Sequence, residues 1–116
     1  MSSDEPSIFT RIINREIPAE IVFEDDRLIA INDINPQAPV HLLVIPKTQQ
    51  YHNVSELADA DPDLLSEMIN VARSLAREHA NGEFRLIFNS GVTAGQTVFH
   101  VHAHVLAGDL QESSLV

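Results

Sequence analysis

Apolar positions recur with two different periods along this chain, and each change of period marks an element. Behind Ser7, a good N-cap residue, Ile8, Phe9, Ile12 and Ile13 form one stripe at helical spacing, and Pro18 closes the segment. Residues 21–24 and 28–32 are β-branched runs separated by Asp25-Asp26-Arg27, which predicts a hairpin. Pro36 and Pro39 make 33–39 a loop, and 41–45 reads as a third strand stopped by Pro46. Asp61 as N-cap and Pro62 at the first helical position open a long helix. Leu65, Met68, Ile69, Ala72, Leu75 and Ala76 keep its period, and Asn81-Gly82 supplies the stop. Residues 84–88 and 99–106 complete the strands. This order predicts an α+β domain: a five-stranded antiparallel sheet with one long and one short helix. Residues 1–7 are expected to be a flexible N-terminus, 8–108 the domain, and 109–116 a polar C-terminal tail.

Composition narrows the setting. A chain of 116 residues, 44% hydrophobic and 21% charged, fits one globular domain with a real core. No apolar run is long enough to span a bilayer, and Met1-Ser2-Ser3-Asp4-Glu5-Pro6 is neither a signal nor a transit peptide. The absence of cysteine excludes disulfides and thiolate chemistry and removes the commonest zinc ligands. A cytoplasmic protein that does not engage membranes is the expectation. The net charge is −10, and the seven cationic side chains are scattered, which argues against nucleic-acid binding. Any phosphate must therefore be held by a local site.

One segment carries chemistry. From Gln96 to His104 the chain places His100, His102 and His104 at alternate positions, so on a strand all three rings share one face. Phe99, Val101, Ala103 and Val105 would then turn an apolar back to the core. Three readings compete. The rings are tolerated on an exposed edge, or they ligate a metal with His41 as a fourth ligand, or one is a nucleophile in phosphoryl or nucleotidyl transfer. The upstream segment 89–97 favours the last. Gly91 and Gly95 let backbone amides approach an anion, and Gln96 and Thr97 offer side-chain donors. A phosphate between that loop and the imidazoles needs no metal. His52, in a polar loop, and His79, in the last turn of the long helix, need no functional role.

The run His100-Val101-His102-Ala103-His104-Val105-Leu106 resembles the signature of the histidine triad superfamily of nucleotide hydrolases and transferases. The resemblance extends through Ile8-Phe9, Ile12-Ile13, Glu16-Ile17-Pro18-Ala19, Phe23-Glu24-Asp25-Asp26, the stretch from Asp33 to Pro39, and His41-Leu42-Leu43-Val44-Ile45-Pro46-Lys47, in the manner of the Hint branch. It implies that His102 is the nucleophile attacking the α-phosphate, with its other nitrogen held by the carbonyl of the first histidine. It also implies that His104 contacts the phosphate oxygens and that His100 and His41 form a pair orienting the strand. Asn89, Gly95, Gln96 and Thr97 would line the phosphate and leaving-group side, and Asp33 would hold the ribose hydroxyls. Ile8, Phe9, Ile12, Ile34 and Leu43 would form an apolar slot for a purine, although ordinary core is an equal reading for Phe9 and Ile13.

The resemblance further implies a homodimer that hydrolyses a purine nucleoside phosphoramidate or a related nucleotidyl ester, with no cofactor. A dinucleoside polyphosphate hydrolase is the rival enzyme. A nucleotide-binding regulatory protein with incidental turnover is the rival of another class. Departures matter. Many bacterial relatives carry Cys-x-x-Cys near the start and a histidine after Pro-Lys, which together build a zinc site. Here those positions are Ser7, Thr10 and Gln49, so no metal is expected. Thr97 stands where a serine is common, and the tail 109–116 lacks the aromatic terminus of some Hint proteins.

Overall fold

The computed structural model describes residues 5–114. The expected flexible start falls outside it at 1–4, as do tail residues 115–116. The order of elements is α1 (Ile8–Ile13), β1 (Ile21–Glu24), β2 (Leu28–Asn32), β3 (Val40–Pro46), α2 (Val54–Ala60), α3 (Pro62–His79), β4 (Arg85–Ile87) and β5 (Ala103–Ala107). Short 3-10 turns lie at Val92–Ala94 and Glu112–Ser114. The strands form one antiparallel sheet in the order β1-β2-β3-β5-β4.

The hydrophobic pattern divides between the two faces. Leu28, Ala30, Leu42, Val44, Ala103 and Val105 turn to one face, where Leu57 of α2 and Leu64, Met68, Ala72 and Leu75 of α3 cover them. Ile29, Ile31, Leu43 and Ile45 turn to the other face, where Phe9 and Ile12 of the short α1 pack on them, with half-buried Ile13, Ile17, Ala19 and Val98 around. β3 is buried almost throughout because it is central and both faces are covered. His41 and His104 belong to the thinly covered face: His41 lies two residues from Leu43, which stands directly opposite His104. Leaving α1 short thus opens the histidine face.

The caps agree with the sequence. The Ser7 hydroxyl accepts from the Thr10 amide, and Asp61 Oδ1 accepts from the Leu64 amide with Pro62 at the first turn. α2 was not expected. Asn53 caps it, accepting from the Glu56 amide, while Glu56 Oε1 accepts from the His52 amide. β5 is shorter than predicted. Residues 96–102 do not join the ladder but bond to the loop after β3, so the strict alternation expected there fails. Phe99 is 45% exposed rather than facing a core.

Candidate active site

The end of β3 at Pro46 and the irregular loop 47–52 that follows hold the histidine segment. The Pro46 carbonyl accepts from His100 Nε2 at 2.6 Å, and the Tyr51 carbonyl accepts from the Val101 amide at 2.9 Å. The His52 carbonyl accepts from the Gln96 side-chain amide. His100 is fully buried, with the Ser7 hydroxyl 2.6 Å from its Nδ1.

His102 is half-buried, and its Nδ1 lies 2.8 Å from the His100 carbonyl. A carbonyl only accepts, so Nδ1 carries the proton and Nε2 the lone pair. Burial lowers the pKa of His102, partly offset by the His100 carbonyl and by Asp33. Phe9 and His102 pack edge to face, with centroids 4.8 Å apart and ring planes 66° apart. This contact fixes the ring plane.

His104 lies next to it, with ring centroids 5.3 Å apart. Its Nδ1 is 2.9 Å from His41 Nε2, and His41 Nδ1 accepts from the Gln37 amide at 2.9 Å. The Gln37 contact puts the His41 proton on Nε2, which donates to His104 Nδ1. His104 therefore carries its own proton on Nε2 and acts as a neutral donor. Burial pushes its pKa down to about 4, with His102 and His41 adding to the shift and Asp33 opposing it. Burial likewise lowers His100. The expected pairing of His100 with His41 does not occur: His41 orients His104, whereas His100 is held by Ser7 and Pro46.

The remaining expected residues are only partly brought together. Phe9, Ile12 and Leu43 pack in one cluster, with Phe9 against the His100 and His102 rings, while Ile8 is 48% exposed and Ile34 93% exposed and neither joins it. Asp33 accepts from the Asn35 amide through Oδ1 at 2.8 Å and stands 3.4 Å from His41 Nε2 through Oδ2. Gln96 is buried and bonds to backbone groups of Gly91, His52 and Val98, so it shapes the loop instead of offering its amide to a phosphate. The amides of Ala94, Gly95 and Gln96 likewise bond within the loop. Gly95 adopts φ 95°, a left-handed turn that suits glycine. In the same connection Thr97 is exposed and Asn89 half-buried.

Sequence reasoning missed the backbone partners: the carbonyls of Pro46, Tyr51 and His52 and the amide of Gln37. Main-chain groups leave no mark in side-chain spacing. Asp33, His41 and His104 carry ligand-type atoms within 4.8 Å of one another, but the two imidazoles share a proton between the facing nitrogens. Among the described residues no helix is long and apolar enough to cross a membrane.

The family model described as scavenger mRNA decapping enzyme C-term binding matches residues 6–115. The adenylylsulfatase HINT1 of Arabidopsis thaliana is 40% identical over 108 residues, 91% of this chain and 74% of that protein. A 14 kDa zinc-binding protein of Zea mays is 38% identical over 109 residues, 90% of this chain and 84% of that one. The solved structure of a HIT family hydrolase from Clostridium thermocellum superposes with a TM-score of 0.88 at 46% identity, covering 96% of this chain and 98% of that one. A row of alternate histidines at the start of β5 in a five-stranded sheet, together with these matches, places the chain in the histidine triad superfamily, among the hydrolases of its Hint-like branch.

Proposed function

We propose that the protein hydrolyses purine nucleoside phosphoramidates in two steps through a nucleotidyl group carried on His102. The observation that carries this reading is the 2.8 Å contact of His102 Nδ1 with the His100 carbonyl, which leaves the lone pair on Nε2, with the His104 ring alongside at 5.3 Å between centroids. In the first step Nε2 bonds to the α-phosphorus as the P–N bond breaks, and the electron pair leaves with the amine, which takes a proton from water. His104 donates to a phosphate oxygen, where a neutral donor meets growing negative charge at no cost in ionisation. In the second step water attacks phosphorus, the P–Nε2 bond breaks, and the proton of the water returns to solution. Asp33 at the ribose and Phe9, Ile12 and Leu43 against the purine complete the assignment. Asn89 and Thr97 orient the departing group.

A dinucleoside polyphosphate is the second substrate class. The only lysine, Lys47, is paired with Glu24 at 2.8 Å and so is not at hand for a polyphosphate. The Arabidopsis relative named as an adenylylsulfatase supports cleavage at a nucleoside monophosphate with a small leaving group. A homodimer is part of this reading, supported by the open edge of β4, a short strand at the end of the sheet.

The test is turnover of an adenosine phosphoramidate by the wild type and by His102→Ala. The variant should bind the mononucleotide and lose turnover by orders of magnitude, and acid-quenched wild type should show a nucleotidyl adduct on His102. Normal turnover by His102→Ala would end the mechanism. A wild type that binds but never turns over would favour the regulatory-protein reading.

A further inference from the structure

We infer that Ser7, Thr10 and Gln49 form a metal-free clasp on His100, and that through it Ser7 is a positioning residue for the nucleophile, ninety-five residues further along the chain. The inference rests on the role proposed above for His102.

His100 is 0% exposed and has partners at both ring nitrogens. Because the Pro46 carbonyl takes the Nε2 proton, Nδ1 is an acceptor and the Ser7 hydroxyl must donate to it. That donation settles the rest of the cluster. With its proton committed, Ser7 Oγ accepts from the Thr10 amide at 3.0 Å. The Thr10 hydroxyl donates to Gln49 Oε1 at 2.7 Å, and the same oxygen accepts from the Ser7 amide at 2.9 Å. Gln49 Nε2 donates to the Glu5 carbonyl at 2.9 Å. The 3.2 Å contact between the Ser7 and Thr10 hydroxyl oxygens is then a contact without a proton. One self-consistent arrangement of protons ties the start of α1 to the loop after β3 and grips the His100 ring at both ends.

The consequence reaches the reaction centre through one residue. A ring fixed at two points fixes its own backbone, and the His100 carbonyl is the group that holds the proton on His102 Nδ1. If that carbonyl moves, His102 gains the other tautomer and its Nε2 loses the lone pair. Phe9, two residues after Ser7 on α1, touches both the His100 and the His102 rings, so a displaced α1 disturbs both.

These positions match the zinc-site pattern of bacterial relatives, but here the donor set does not fit zinc. Two hydroxyls and an amide replace thiolate and imidazole, and the Nδ1 lone pair of His100 already has its proton donor. The clasp does with hydrogen bonds what a bound ion would do at the same ring.

The test uses the full chain labelled with nitrogen-15 at histidine. In Ser7→Ala the His102 nitrogen shifts should move from the Nδ1–H tautomer toward a mixture. kcat should fall by about ten- to a hundredfold while KM stays within about twofold. Ser7→Thr, which restores the hydroxyl and the helix cap, should recover both. If Ser7→Ala does not fold, Ser7→Cys, with a weaker donor of similar size, should show the same changes in smaller measure. A wild-type His102 tautomer and wild-type kcat in the folded variant, or no recovery in Ser7→Thr, would overturn the inference. The tautomer needs no substrate, so a wild type inactive on the phosphoramidate would count against the proposed function and leave this reading standing. Added Zn2+ should neither raise Tm nor move the His100 resonances; displacement of Ser7 by the metal would refute the metal-free clasp.

Discussion

Burial holds His100, His102 and His104 below the ordinary imidazole value of 6.5, His104 as low as about 4. His104 is therefore neutral through mild acid, as a neutral donor requires, and the same direction of shift favours the neutral forms of His100 and His102. We expect kcat/KM to stay level from pH 8 to about pH 6.5, with an acid limb whose midpoint lies below 6.5, measured by initial rates across buffers. The same shift acts on stability. As pH falls from 6.5 toward 4 the unfolded chain takes up protons that the folded His104 refuses, so stability declines across that window and this contribution stops growing below it. Tm should be lower at pH 5 than at pH 7, and His104→Asn should narrow the gap. An unchanged gap in that variant would remove His104 as its source. At this scale the sequence was legible in part. Alternate spacing singled out the three histidines, and motif resemblance singled out His41 and Asp33, which the structure sets 3.4 Å apart. Spacing could not show that His41 serves His104, or that Gln96 turns inward, because partners come from other strands and from the backbone.

Among the elements, the capped helices were easiest to read, since Ser7 and Asp61 each announce a first turn with a side-chain acceptor. α2 carried the same kind of signal in Asn53-Val54-Ser55-Glu56 but has only one buried residue, Leu57, so it shows no apolar stripe. The overestimate of β5 has a different origin: alternation in 99–102 reflects a chain anchored by the loop after β3 rather than by a neighbouring strand. The end of β5 is more exacting. Gly108 adopts φ 105°, and a Cβ there would lie 2.9 Å from two atoms of the Pro39 ring. Gly108→Ala should destabilise the fold by about 1–3 kcal/mol through backbone strain and displacement of the 33–39 loop. Urea titration followed by circular dichroism would measure this, and a midpoint equal to wild type would contradict it. The loop ends beside His41, so the same variant should raise KM for nucleotide.

At the scale of the whole molecule, a charge of −10 sets a field that repels anionic substrates before local contacts form. A phosphoramidate carries less charge into that field than a dinucleoside tetraphosphate. We expect a higher kcat/KM for adenosine phosphoramidate than for diadenosine tetraphosphate, with added salt narrowing the difference by screening. Rates for both substrates at low and high ionic strength decide the point, and faster cleavage of the dinucleotide at low salt would reverse the assignment of leaving group. The fold class and the sheet were visible in the periods of the sequence. The division of labour between the sheet faces was not, because it depends on which strands each helix packs against, and periods along one segment do not record that. The stretch from Pro46 to His52 has a bearing on how such a chain can vary. Its side chains look like those of any connecting loop, where insertions and deletions are ordinarily harmless. Here the carbonyls of Pro46, Tyr51 and His52 and the Gln49 side chain each hold a different part of the candidate site, from the start of α1 to Gln96 and Val101. One added residue would shift every attachment at once. This unpatterned segment is therefore a ruler, free to change in letters and closed to change in length.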